Sequence, residues 1–267
     1  MRVDLRGTIF HEPVAGAWLG ELPDCTFGEY LGGTDRDNPG APDEVRGALY
    51  AKIARTFLRG GKRAKPPQAV LVIGLGCSGK TSALGNLPLP DNGNRILIDP
   101  DEVKKYLPEY QTATQRGRKD AASIVHAESG FVAEIIRNEA ARRSFNFSFE
   151  GVGRDAAYYT RLAENLESHG YVVHVLLSHL DDLDEALRRN KVRGERTGRY
   201  IPETSILEAF DRVPHTFTSL VASSRYSRDY TIVCGRTGSY IGSRRNGVAS
   251  GIHPVSILPH GISATYV

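Results

Sequence analysis

Eight consecutive residues, Gly74-Leu75-Gly76-Cys77-Ser78-Gly79-Lys80-Thr81, have the types and spacing needed to hold a phosphate group. They satisfy G-x-x-x-x-G-K-[ST] at every fixed position. Glycines at 74, 76 and 79 permit positive φ, which turns backbone N–H groups toward phosphate oxygens. A helix following the loop adds the partial positive charge of its N-terminus. Lys80 is placed to reach β- and γ-phosphates, and the Thr81 hydroxyl to ligate Mg²⁺. These residues predict a site for ATP or GTP with Mg²⁺. Cys77 reads as a small loop residue whose oxidation would obstruct the nucleotide, not as a nucleophile.

Carboxylates come next. Asp99 and Asp101 follow a short apolar run, Arg95-Ile96-Leu97-Ile98, that reads as a strand. Acids at the carboxyl end of a parallel strand lie beside the crevice where α/β proteins bind ligands. Asp101 is therefore a candidate general base, with Asp99 as competitor, and either can instead cap the helix begun by Glu102-Val103-Lys104. Glu150 ends the alternating run Phe145-Asn146-Phe147-Ser148-Phe149. It can hold Mg²⁺ through water, orient a substrate, or pair with Arg154. In a long helix expected over 117–142, Glu134 lies beside the apolar stripe, whereas His126 and Glu128 are expected on a solvated face. The run Arg188, Arg189, Lys191, Arg193, Arg196 and Arg199 suits a clamp for a transferring phosphate on a mobile segment. A solvated or RNA-contacting face is the other reading of that run.

The elements that must position these groups are legible in outline. Val70-Leu71-Val72-Ile73 is an apolar, mostly β-branched run of the kind found in buried parallel strands. Strands at 95–98, 145–149, 171–177 and 230–234 alternate with helices, including ones over 155–168 and from 202 to about 212, with a loop at 194–198. This order predicts a three-layer α/β/α P-loop NTPase fold with a mostly parallel sheet of about five strands. Residues 1–66 read as an N-terminal extension with one helix, starting at Ala41-Pro42-Asp43-Glu44 and ending at Gly60-Gly61. Residues 67–237 form the P-loop domain, and 238–267 a C-terminal tail with little periodicity.

Composition narrows the class. In 267 residues, 40% are hydrophobic and 24% charged, ordinary for a globular protein that buries a sizeable core. A net charge of +3 argues against a dedicated nucleic-acid binder. Cys25, Cys77 and Cys234 are scattered and odd in number, which points to a reducing cytoplasm without a disulfide framework. The N-terminus reads as lacking the apolar core of a signal peptide, and no stretch is apolar enough to span a membrane. His174 and His179 have no metal-ligand spacing and read as structural.

Four blocks in order resemble the zeta toxin family of P-loop kinases over roughly 68–237. They are Gly74 to Thr81; Ile98-Asp99-Pro100-Asp101-Glu102-Val103 with Leu107-Pro108-Glu109-Tyr110; Phe149-Glu150-Gly151-Val152-Gly153-Arg154; and Gly198-Arg199-Tyr200-Ile201-Pro202. The resemblance implies a fold similar to small nucleotide kinases. It also implies transfer of phosphate from ATP or GTP to a sugar hydroxyl of UDP-N-acetylglucosamine. By resemblance Asp101 is the base, Glu134, Glu150 and Arg154 contact the acceptor, and Arg189 and Arg199 stabilise the transferring phosphoryl group, with Arg188 or Arg196 as substitutes. A small antitoxin protein is the partner the resemblance implies. Val152 stands where many members have Thr, and Leu107 where His is common before the proline, so the acceptor side departs from the family.

Two other classes fit parts of the chain. A GTP-gated switch would need Asp where Asn190-Lys191-Val192-Arg193 has Arg. An RNA-end kinase would use the basic run at 188–199, against the small net charge.

Overall fold

The computed structural model describes residues 25–31, 42–86, 94–197, 200–222, 228–252 and 254–257. In chain order, α1 spans Thr26–Leu31, α2 Glu44–Leu58, β1 Gln68–Gly74, α3 Lys80–Asn86, β2 Ile96–Ile98, α4 Pro100–Lys104, α5 Pro108–Gln115, α6 Ala121–Ile124 and α7 His126–Arg142. There follow β3 Phe147–Glu150, α8 Ala156–Ser168, β4 Val172–His179, α9 Leu183–Thr197, α10 Glu203–Ala222, β5 Asp229–Cys234, β6 Tyr240–Arg245 and β7 Val248–Gly251. A 3-10 turn spans Pro254–Ile257. The chain divides into two compact units. One takes the described residues of Met1–Arg63, Asn94–Phe147 and Lys191–Tyr200; the other those of Ala64–Gly93, Ser148–Asn190 and Ile201–Val267.

The second unit is built on strands in the order β3-β1-β4-β5-β6-β7. Gln68 to Gly74 pairs in parallel with Val172 to Ser178, and His174 to His179 in parallel with Asp229 to Cys234. Six successive residues of β1, Ala69 to Gly74, are buried, because helices cover both faces of such a strand. Val70, Val72, Ala83, Leu84, Leu176 and Val233 form one cluster that seats α3 on the sheet. All five expected strands form. The tail adds two more, since β6 pairs antiparallel with β5 and β7 with β6. Strand β7 is exposed along its length, so it carries none of the apolar periodicity by which a strand is read.

The described residues of 1–66 carry two helices, α1 and α2, where one was expected, and helix limits differ from expectation in three places. Helix α10 runs to Ala222 instead of about 212, through Pro214. Interior proline costs about 3 kcal/mol, and burial of Ile206, Ala209, Val213, Phe217 and Leu220 on one face offsets it. Helix α9 continues to Thr197 through the predicted loop at Gly194. A Cβ at Gly194 would stand 2.3 Å from the Tyr200 ring, so glycine here seats an aromatic ring and does not end the helix. The single helix expected over 117–142 is two, α6 and α7, with Val125 at φ −104° and ψ 9° between them.

In the first unit, the Ile96 N–H donates to the Asn146 carbonyl at 2.8 Å, tying β2 to the residue that precedes β3. The unit's helices are joined by a charge cluster absent from the sequence reading. Arg46 Nε and one terminal nitrogen bind both carboxylate oxygens of Glu128 at 2.6 and 2.7 Å. Its two terminal nitrogens bind both oxygens of Glu109 at 3.0 Å. The Tyr50 hydroxyl donates to Glu128 at 2.6 Å, and the guanidinium lies 4.1 Å from the Tyr30 ring centroid. Glu109 and Glu128 are fully buried and Arg46 is 7% exposed. Glu128 is therefore a core residue, contrary to the expected solvated face. Burial, and then the Glu128 charge, push the Tyr50 hydroxyl above its ordinary pKa, so it stays a donor. The planar fork of arginine lets one side chain serve two carboxylates at once.

Arg46→Met should destabilise the protein by about 3–5 kcal/mol by leaving two buried carboxylates without their cation. Adding Glu109→Gln and Glu128→Gln to it should recover part of the loss. Urea unfolding midpoints decide this, and an Arg46→Met protein of unchanged midpoint would contradict it.

Candidate active site

The phosphate loop leaves β1 at a point of close backbone approach. A Cβ on Gly74 would meet the Ser178 carbonyl oxygen and the Ser78 hydroxyl at 2.7 Å each, and its φ of +155° is unfavourable for any other residue. Its N–H donates to the Val152 carbonyl at 3.1 Å, and the Gly151 N–H to the Val72 carbonyl at 2.9 Å. The loop thus grows out of a three-strand junction of β3, β1 and β4. Ser178 Oγ donates to the Ser78 carbonyl at 2.7 Å, a contact that sequence reasoning missed. Positive φ was expected at three glycines. It occurs at Gly74 and Gly79, while Cys77, at φ 72°, takes the third position in place of Gly76.

Lys80 opens α3 and turns back into the loop, its Nζ donating to the Gly74 and Leu75 carbonyls at 2.9 Å each. Thr81 Oγ1 donates to Glu150 Oε2 at 3.2 Å. Glu150 is buried at the carboxyl end of β3. It therefore faces the loop threonine, and the alternative pairing with Arg154 does not form: Arg154 binds Glu208 at 3.1 Å. A buried carboxylate beside a hydroxyl at the head of the phosphate loop is a hard-oxygen donor set, which fits Mg²⁺.

Arg189 closes the loop from α9. One terminal nitrogen donates to the Gly235 carbonyl at 2.7 Å and the Cys77 carbonyl at 3.3 Å, and Nε to Glu185 at 2.6 Å. Hydrogen bonds from Arg188 and Arg189 pull the Glu185 carboxyl down to about 2. Asn190 also escaped sequence reasoning, because a lone helical asparagine carries no signal. Its side chain binds both the N–H and the carbonyl of Ile201, at 3.0 and 2.8 Å. It pins the chain just beyond Arg199, which itself lies outside the described residues. His174 bonds Thr231 at 3.0 Å across β4 and β5.

In the first unit, the two acids after β2 divide their work. Asp99 caps α4, its side chain accepting the Asp101 N–H at 2.8 Å. The two side-chain oxygens of Asp101 meet Lys104 Nζ at 2.8 Å and an Arg193 terminal nitrogen at 2.6 Å. Glu134 is half-buried on α7. The structure thus gathers the loop, Lys80, Thr81, Glu150 and Arg189 in one unit, and Asp101, Glu134 and Arg193 in the other.

The sequence model of the zeta toxin family matches residues 55–249. Toxin PezT of Streptococcus pneumoniae is 28% identical over 134 residues, covering 50% of this chain and 53% of that protein. Toxin zeta of Streptococcus pyogenes is 30% identical over 115 residues, covering 43% of this chain and 40% of that protein. The chain spans about half the length of the curated relatives it matches. The solved PezAT toxin–antitoxin system of Streptococcus pneumoniae is similar at a TM-score of 0.54 and 20% identity, covering 78% of this chain and 83% of that one. The AvrRxo1-ORF1:AvrRxo1-ORF2 complex with sulphate ions is similar at a TM-score of 0.63 and 17% identity, covering 93% and 82%. The same complex solved with ATP has a TM-score of 0.61. At these identities the likeness is one of fold. No helix among the described residues is long and apolar enough to cross a membrane.

Gly74→Ala should cost about 1–3 kcal/mol in stability and abolish nucleotide binding, because the loop must move off β4. Calorimetric titration with ATP and a thermal melt test both parts. The Glu185 contribution has a defined sign. Its pKa is depressed from 4.5 to about 2, so the Arg189 anchor is fully present above 4.5 and lost only as pH falls through 2. An NMR titration of the Glu185 carboxyl should show this, with a return toward 4.5 in Arg188→Gln/Arg189→Gln.

Proposed function

Because this chain belongs to the zeta toxin family, we propose that it is a small-molecule kinase moving the γ-phosphate of ATP or GTP to a hydroxyl acceptor. UDP-N-acetylglucosamine or a related nucleotide is the acceptor in this reading. The observation that carries transfer, as opposed to binding alone, is the split between Asp99 and Asp101. One acid is the cap of α4, and the other is held by Lys104 and Arg193 in the orientation a base for a substrate hydroxyl needs. A solved relative in fold that contains ATP supports the donor.

The residues then take these roles. Backbone N–H groups of Gly74 to Thr81 bind the β- and γ-phosphates, and Lys80 leaves its carbonyl partners to meet them. Thr81 and Glu150 would hold Mg²⁺, which when bound neutralises phosphate charge. Asp101 accepts the proton of the acceptor hydroxyl as its oxygen bonds to the γ-phosphorus, and the bond from that phosphorus to the β–γ bridging oxygen breaks. Arg189 and Arg199 offset the charge of the phosphoryl group in flight. Glu134 and Arg154 bind the acceptor. A small antitoxin protein is proposed as partner on the strength of the PezAT complex.

Incubation with Mg²⁺, γ-labelled ATP or GTP and a panel of nucleotide sugars, read by mass spectrometry, tests the proposal. One added phosphate on UDP-N-acetylglucosamine is expected. Lys80→Ala should abolish it, and Asp101→Asn should keep nucleotide binding while lowering turnover by about 10²-fold. Consumption of ATP without change in that sugar moves the acceptor to another hydroxyl compound. Failure of both nucleotides to bind overturns the reading.

A further inference from the structure

The face of α9 that carries Arg189 presents a second arginine one turn later, and the functional reading leaves it without a task. Arg193 donates to Asp101 Oδ2 at 2.6 Å, while Lys104, one turn along α4, holds Oδ1 at 2.8 Å. A carboxylate with both oxygens held by cations from two different helices has one orientation, not a set of rotamers. The two cations are not equivalent. The Lys104 side chain is 6% exposed, so its ammonium depends on Asp101 as counter-ion and belongs to the packing of the unit. Arg193 is 25% exposed, and an ion pair so close to solvent adds little to stability. Its surroundings are nonetheless built. The adjacent Gly194 has no Cβ, so the Tyr200 ring lies directly on this turn of α9 and fixes it. A low-value ion pair on a rigid turn, aimed at the Asp101 carboxylate, serves geometry.

We propose that Arg193 is a positioning residue for phosphoryl transfer: it fixes the Asp101 carboxylate so that one lone pair faces the acceptor hydroxyl. This rests on the reading of Asp101 as the group that receives that hydroxyl's proton. Arg193 touches neither reacting atom, and it acts through the orientation of Asp101. Loss of Arg193 leaves the Lys104 pair on Oδ1 in place but frees Oδ2 from the cation that fixes it. Turnover then falls while the nucleotide and acceptor still bind.

The test compares Arg193→Gln and Arg193→Lys with the unaltered protein, using MgATP and UDP-N-acetylglucosamine, in the native and Asp101→Asn backgrounds. Arg193→Gln should lower kcat about tenfold with the KM for ATP and for the sugar unchanged, and Arg193→Lys should restore most of it. In the Asp101→Asn background, Arg193→Gln should do nothing further, because its effect passes through the carboxylate. If that sugar is not phosphorylated, the same six proteins are compared on ATP hydrolysis, where water takes the place of the hydroxyl. An Arg193→Gln protein with unchanged turnover overturns the proposal, as does an equal loss in both backgrounds. A faster Arg193→Gln protein also overturns it, by showing that Arg193 holds the base away from its substrate. If Asp101→Asn itself retains full turnover, the reading of Asp101 falls first, and this role falls with it.

Discussion

The whole phosphate loop depends on how closely β1 can end against its neighbours. At Gly74 there is no room for a side chain between the strand and the Ser178 carbonyl, and the backbone turns through a φ that only glycine adopts at low cost. From that point the loop is held on several sides. The Val152 carbonyl receives its first N–H, Ser178 reaches its Ser78 carbonyl, and Arg189 spans the carbonyls of Cys77 and Gly235. Loops built to bind anions need their N–H groups preorganised, since each would otherwise spend binding energy on its own ordering. Here the strands β3, β4 and β5 and the helix α9 do that ordering.

Charge is used in two distinct ways. Arg46 is locked with Glu109 and Glu128 away from water, where a broken pair leaves an uncompensated ion, so the cluster acts as structure. The pairs of Asp101 with Arg193 and of Glu185 with Arg189 lie nearer solvent, where each adds little to stability. The chain thus keeps expensive electrostatics in the helices α2, α5 and α7 and weaker ion pairs around the residues of the proposed site.

The match to the zeta toxin family spans residues 55–249 and so contains the phosphate loop and the acids and arginines proposed to act with it. Leu107 is fully buried and caps α5 without a side-chain hydrogen bond, so it contributes packing where a histidine would present a polar ring. Arg46 and Tyr50 lie before the matched region yet reach its buried acids, which makes α2 part of the fold of the first unit.

What the amino-acid sequence determined by itself was local. The loop is encoded by eight neighbours, its strand by a continuous apolar run, and the parallel sheet by alternation of strands with helices. Asp101 was visible as an acid at a strand end, but which of Asp99 and Asp101 caps α4 was settled only by which carboxylate accepted the Asp101 N–H. Glu128 on a helix face, Glu150 beside the wrong partner, Asn190 and Arg193 could not be placed from spacing. Each is defined by a partner between 11 and 92 residues away. The same holds for Pro214 inside a helix and Gly194 not ending one, where burial against distant side chains overruled local preference. Short-range chemistry is written in neighbouring residues. Pairing across the fold depends on which surfaces meet, and only the folded chain decides that.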